Sequence, residues 1–96
     1  MANDRNHFEF TAVLLKEAKH SVSLCLDVDV ASQGASPREA RKMLAEAVTL
    51  YLETCFENRI PYLRPVSRED APRVNRSERV LEFFPLKVDF KVHTFV

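Results

Sequence analysis

Asp27 and Asp29, two residues apart in the run CLDVDV, are the side chains of this 96-residue chain closest to doing chemistry. Two carboxylates on one strand face can share a divalent cation, and such a pair points to metal-assisted phosphoryl chemistry, a nuclease. Two acids are too few for that site, and nothing in the sequence places Glu9 or Asp89 beside them. The competing reading is a solvated strand face or a polar patch that meets a partner. His7, His20 and His93 show no metal-ligand spacing. A histidine working with Cys25 or Ser21 as nucleophile lacks a third group and an oxyanion signature. No residue is therefore assigned a catalytic, metal or cofactor role. Arginines 64, 68, 73, 76 and 79 gather in or beside the proline-punctuated segment Pro61 to Glu78. Arginines there can meet phosphates, but Glu69, Asp70 and Glu78 dilute the field. Asp27, Asp29, Arg64 and Arg68 are the candidate partner-binding residues.

The elements that must position these groups follow from periodicity. Phe8 to Lys16 reads as a strand, and Glu17 to His20 as a short connection. Ser21 to Val30 reads as a second strand, the two forming a hairpin. Val22, Leu24, Leu26, Val28 and Val30 alternate with Ser21, Ser23, Cys25, Asp27 and Asp29, so the aliphatic set is expected on the buried face. The pattern allows a brief third strand around Ala31 to Gln33. Gly34, the only glycine, is expected to supply a positive φ in a tight turn. Ser36 and Glu39 form an S-x-x-E capping box with Pro37 at the first helical position. A helix then runs from Pro37 to about Asn58, with Ala40, Met43, Leu44, Ala47, Val48, Tyr51, Leu52 and Cys55 forming one broad apolar stripe. Ile60 and Pro61 stop it.

After the segment 61–79, Val80 to Phe84 and Leu86 to Val96 close the chain, residues 86–96 as a terminal strand. That strand offers an edge for self-association. The order is β-β-(β)-α-β, a two-layer α+β fold with one long helix on an antiparallel sheet. Residues 1–96 read as a single domain.

Composition narrows the function classes. Fourteen basic and fourteen acidic residues give a formal charge of zero. That balance argues against nonspecific nucleic-acid binding by the whole chain. No apolar run approaches the ~20 residues that cross a bilayer, and the N-terminus carries no apolar signal segment. Cys25 and Cys55 form no C-x-x-C pair and read as small apolar fillers. A cytoplasmic protein with reduced thiols is expected.

With Ser21 to Tyr51 laid out, the chain resembles the HicB-like antitoxin family over roughly residues 8 to 60. The resemblance rests on Cys25-Leu26-Asp27-Val28, Val30-Ala31-Ser32-Gln33-Gly34, Ser36-Pro37-Arg38-Glu39-Ala40, Leu44-Ala45-Glu46-Ala47 and Leu50-Tyr51-Leu52-Glu53. Leu26 stands where the family usually has proline, Met43 where it has asparagine, and Lys19-His20 where a glycine pair often marks the hairpin. The resemblance implies a truncated ribonuclease-H-like fold without a working active site. It implies a non-enzymatic domain that neutralises a small mRNA-cleaving, HicA-like toxin by covering it. Many family members add a DNA-binding module, and none is recognised here, so no autonomous operator binding is expected. A homodimer or tetramer is expected. The alternatives are an orphan homo-oligomer without a toxin and a residual metal-dependent nuclease.

Overall fold

The computed structural model describes residues 5–67 and 78–91. Strand β1 (Arg5–Lys16) is followed by β2 (Ser21–Cys25), β3 (Val30–Gly34), helix α1 (Pro37–Glu57) and β4 (Val80–Lys91). The strands form one antiparallel sheet in the order β3-β2-β1-β4. Helix α1 follows β3 and covers one sheet face, its first turns packing on β3, β2 and β4 and its last turn beside Phe8 of β1. The architecture is α+β in the order β-β-β-α-β, as the patterning predicts.

The second strand is shorter than expected. Pairing stops at Cys25, and residues 26–29 turn the chain into β3. Asp29 sits at φ 53, a left-handed conformation that aspartate tolerates better than most residues. The brief third strand is real and slightly longer than the pattern suggests. It pairs with β2 from Ser21↔Gly34 to Cys25↔Val30.

The faces of the hairpin are the reverse of the expectation. Ser21, Ser23 and Cys25 are buried, whereas Val22 and Leu24 are only half-buried. The register explains which side is which. Leu14 lies opposite Ser23, and Ala12 opposite Cys25. Phe10, Ala12 and Leu14 belong to the core beneath α1, together with Leu44, Val48 and Leu52. Small β2 residues sit there because the helix approaches this end of the sheet closely. The Ser23 hydroxyl donates to the Ala40 carbonyl at 2.7 Å, which satisfies a buried polar group.

Gly34 has the same cause. Its φ is not positive, so the expected turn role is wrong. A Cβ there would lie 2.6 Å from the Ala40 nitrogen and 2.7 Å from the Glu39 carbonyl carbon. Glycine is required because the first turn of α1 packs directly on the strand. Ser36 caps that turn as predicted, its Oγ accepting from the Glu39 amide at 3.1 Å. The Glu39 carboxylate reaches back one residue further than a standard box, to the Ala35 amide at 2.7 Å.

The far end of α1 closes by backbone geometry. The Ile60 amide donates to Cys55 O, and the Arg59 amide to Phe56 O. Arg59 adopts φ 55. These are the two bonds of a Schellman motif, with arginine at the position that glycine favours.

Val80 to Phe84 and the described part of the terminal strand, Leu86 to Lys91, form one strand, β4, which runs through Pro85 without a break; residues 92–96 lie outside the described residues. β4 is an edge strand, which is where proline is tolerated. It pairs with β1 along its length, with a bulge at the Leu14/Leu15 step. Arg41 of α1 ties down over β4, with an ion pair to Glu82 and its guanidinium 4.6 Å from the Phe84 ring centre. The Arg79 guanidinium meets Glu17 at 2.8 Å, joining the start of β4 to the hairpin turn. No helix among the described residues is long and apolar enough to cross a membrane.

Candidate functional site

Three of the four candidate partner-binding residues meet at one end of the sheet. The turn 26–29 carries Asp27 and Asp29, and the segment 61–67 carries Arg64. Arg68 lies outside the described residues. The segment is bonded to the turn through its backbone. The Arg64 amide donates to Asp27 O at 3.0 Å, and the Val66 amide to Leu26 O at 2.9 Å. The turn is bonded in turn to β1, where the Leu26 amide donates to Thr11 O at 2.9 Å. Proline at position 26 could not make that last bond, so leucine here adds an anchor.

The two aspartates do different jobs. They do not share a strand face as expected, because both lie in the turn. The Asp27 carboxylate accepts from the Thr11 amide at 3.0 Å. Such a charge-assisted bond fixes the turn against β1. Asp29 is exposed and projects from the turn. No group of three or more His, Cys, Asp or Glu among the described residues is arranged to hold a metal ion. His7 pairs with Asp89 at 3.5 Å across β1 and β4. His20 is exposed in the β1–β2 turn, and His93 lies outside the described residues.

Arg64 is built into the helix end. Its guanidinium lies 5.1 Å from the Tyr51 ring centre, within cation–π range. Its Nε donates to Val28 O at 3.4 Å. Beside it the Tyr51 hydroxyl donates to Tyr62 O at 2.8 Å. Burial, reinforced by the Cys55 thiol, raises the Tyr51 hydroxyl above its ordinary value, and Arg64 partly offsets this. Phe8, Phe56 and Tyr62 complete the wall, with ring centres 5.4 to 6.0 Å apart. Contacts of this kind add about 0.5–1.5 kcal/mol each beyond the area buried. They hold the segment 61–67 in place, so that it presents Leu63 and Ile60 outward, 61% and 53% exposed.

Among the described residues, the candidate site is an exposed surface. It combines exposed aliphatics at Ile60 and Leu63 with charges at Asp29 and Arg59. Sequence reading names Asp29 and Arg64 as candidates. It passed over Ile60 and Leu63, whose only signal was their place after a capped helix. Both cysteines are buried and unpaired. Burial pushes the Cys25 thiol up from 9.0 to about 11, the Asp27 charge adding to it and backbone bonds at Asp27 and Val28 opposing it. A thiol held neutral in this way is a poor nucleophile. Compared with protein-family profiles, with curated proteins and with solved structures, the chain finds no match in any of the three.

Proposed function

We propose that this chain is an antitoxin-type domain that binds a small RNA-cleaving toxin and neutralises it by covering it, working as a homodimer or larger assembly in the cytoplasm. The observation that carries this reading is the unity of Val30 to Ala40. These residues bear the most specific part of the resemblance, and here they form a single device of strand β3, close glycine contact and capped helix start. The order β-β-β-α-β agrees with the fold that the resemblance implies. The Asp27 carboxylate is engaged with a backbone amide, which supports a binding role over a metal-holding one.

The partner surface in this reading is the end of the sheet where Asp29, Arg59, Ile60 and Leu63 are exposed. Exposed aliphatics rimmed by charge make a plausible interface core and rim. The test is affinity capture of the tagged protein from its own host. A small basic protein recovered at near-stoichiometric amount supports the reading, and Leu63→Asp should release it without unfolding the domain. Recovery of this protein alone would reject it.

A second reading is an orphan homo-oligomer. It is favoured by the exposed Leu81 and Phe83 on β4, and by Leu26 and Met43 at two positions where the resemblance departs.

A further inference from the structure

Helix α1 buries the stripe Ala40, Leu44, Val48, Leu52 and Cys55. Its outward side carries a second stripe. Glu46, Leu50, Glu53 and Glu57 recur at steps of four, three and four, which sets them along one line of the helix. Leu50 is 65% exposed. Met43, three residues before Glu46 and expected in the apolar stripe, is 38% exposed. Glu46 and Glu57 are exposed and Glu53 is half-buried. A lone exposed leucine is common on protein surfaces. Shape, charge and a local cost set this one apart.

A groove of about 410 Å³ opens beside Leu50, lined by Ala45, Glu46, Thr49 and Leu50. Ala45–Thr49 and Glu46–Leu50 are neighbouring ridges of residues four apart, and the groove lies between them. The Thr49 hydroxyl donates to the Ala45 carbonyl at 2.7 Å, so it is already satisfied. A groove between two such ridges is the feature into which a ridge of a second helix packs.

From Met43 to Glu57 the helix carries Glu46, Glu53 and Glu57 and no Lys or Arg. Lys42 precedes this run and Arg59 follows it. Neither forms an ion pair with these carboxylates among the described residues.

Glu53 and Glu57 stand four residues apart, where like charges repel. The last turn of α1 holds no basic residue, although the carbonyl end of a helix favours cations over anions. The two carboxylates therefore oppose the helix that bears them. A broken local rule of this kind is characteristic of a functional surface.

We propose that this outer face of α1 docks a basic amphipathic helix of another protein. An apolar side chain of the incoming helix packs beside Leu50 in the groove. Its Lys or Arg side chains meet Glu46, Glu53 and Glu57 and relieve their repulsion. Charge decides the occupant. The stripe repels nucleic acid, an acidic segment and the same stripe of a second copy. The surface does not use Asp29, Ile60 or Leu63, so the proposal stands or falls apart from the toxin reading.

The test uses the full chain and a fluorescein-labelled synthetic helix of about 18 residues, built from Leu, Ala and Lys. Its leucines lie on one helical face with lysines beside them. A scrambled peptide of the same composition has the same charge and no apolar face. Fluorescence anisotropy with protein up to about 100 µM reads the dissociation constants. The ordered peptide should bind at least about tenfold tighter than the scrambled one. Leu50→Gln should weaken it at least about fivefold. Glu53→Gln with Glu57→Gln should weaken it at least about tenfold. The same double variant should raise the melting temperature by about 1–4 °C, because it removes a repulsion. Carboxylates with a merely structural role would lower it. Glu9→Gln, on β1, should change the affinity by less than about twofold. Circular dichroism checks folding, and if Leu50→Gln fails to fold the double glutamine variant carries the test. Failure of the ordered peptide to bind, equal binding of the two peptides, or unchanged affinity in a folded α1 variant would overturn the proposal. So would an equal loss with Glu9→Gln, which would reduce the effect to net charge.

Discussion

The two faces of this sheet are made by the same four strands and obey different rules. Under α1 the β2 residues are Ser21, Ser23 and Cys25, and the β3 residue nearest the helix start is Gly34, all buried. On the opposite face the β2 residues are Val22 and Leu24, half-buried. The covered face uses small groups because the helix backbone approaches within contact of the strand. The opposite face uses branched aliphatics because the backbone of α1 does not approach it, and Val13 at its centre is fully buried. Side-chain size on a strand thus reports how near the next layer is. It does not by itself report which face is the core.

The largest effect that separates the faces is cavity formation. Leu44 is fully buried, so Leu44→Ala should cost about 2–5 kcal/mol. Leu24→Ala, on the opposite face, should cost about half as much or less in the monomer. Urea unfolding of the two variants measures the ratio, and equal losses would break the comparison.

Crowding comes next. Gly34→Ala would drive a Cβ into the backbone of Glu39 and Ala40, and should cost about 1–3 kcal/mol. Ala31, on β3 opposite Leu24, is exposed. Ala31→Val should stay within about 0.5 kcal/mol of wild type. Thermal melts of both variants check this.

Titration sharpens the comparison further. Burial raises the folded Cys25 thiol to about 11 from an ordinary 9.0. Between these values the folded chain holds a proton that the unfolded chain has released. The stabilisation is therefore full below about pH 9 and is lost as pH rises toward 11. Cys25→Ala should remove this slope from a stability-versus-pH curve, leaving the smaller fall of the same sign from Tyr51. The smallest expected effect is a gain. Arg59 holds a positive φ at the end of α1, so Arg59→Gly should stabilise by about 0.5–1 kcal/mol. A loss of stability on denaturant unfolding would contradict the Schellman assignment.

Much of this architecture is legible in the sequence. The S-P-R-E start and the stripe from Ala40 to Cys55 place the helix within a residue of its ends, because capping and periodicity are local. The alternation in Ser21 to Cys25 locates a strand for the same reason. Its sidedness is not local. It depends on how close α1 lies, and that is set by Gly34 and Ala40 in contact across two elements. The Leu26–Asp29 turn is not legible because its aliphatic–acid alternation continues the strand pattern unbroken. Only the Asp27–Thr11 bond and the positive φ of Asp29 break it. Of the candidate site, the charged residues are visible in composition. The exposed Ile60 and Leu63 become a surface only when the aromatic wall of Phe8, Phe56 and Tyr62 fixes the segment that bears them.

The most direct test of the functional account is to titrate this protein into RNA cleavage by the small protein captured with it. The account predicts that cleavage falls to background at one equivalent, and that Leu63→Asp restores it while the fold is unchanged. Cleavage that continues at saturating protein, or the absence of any captured partner with such activity, would contradict it.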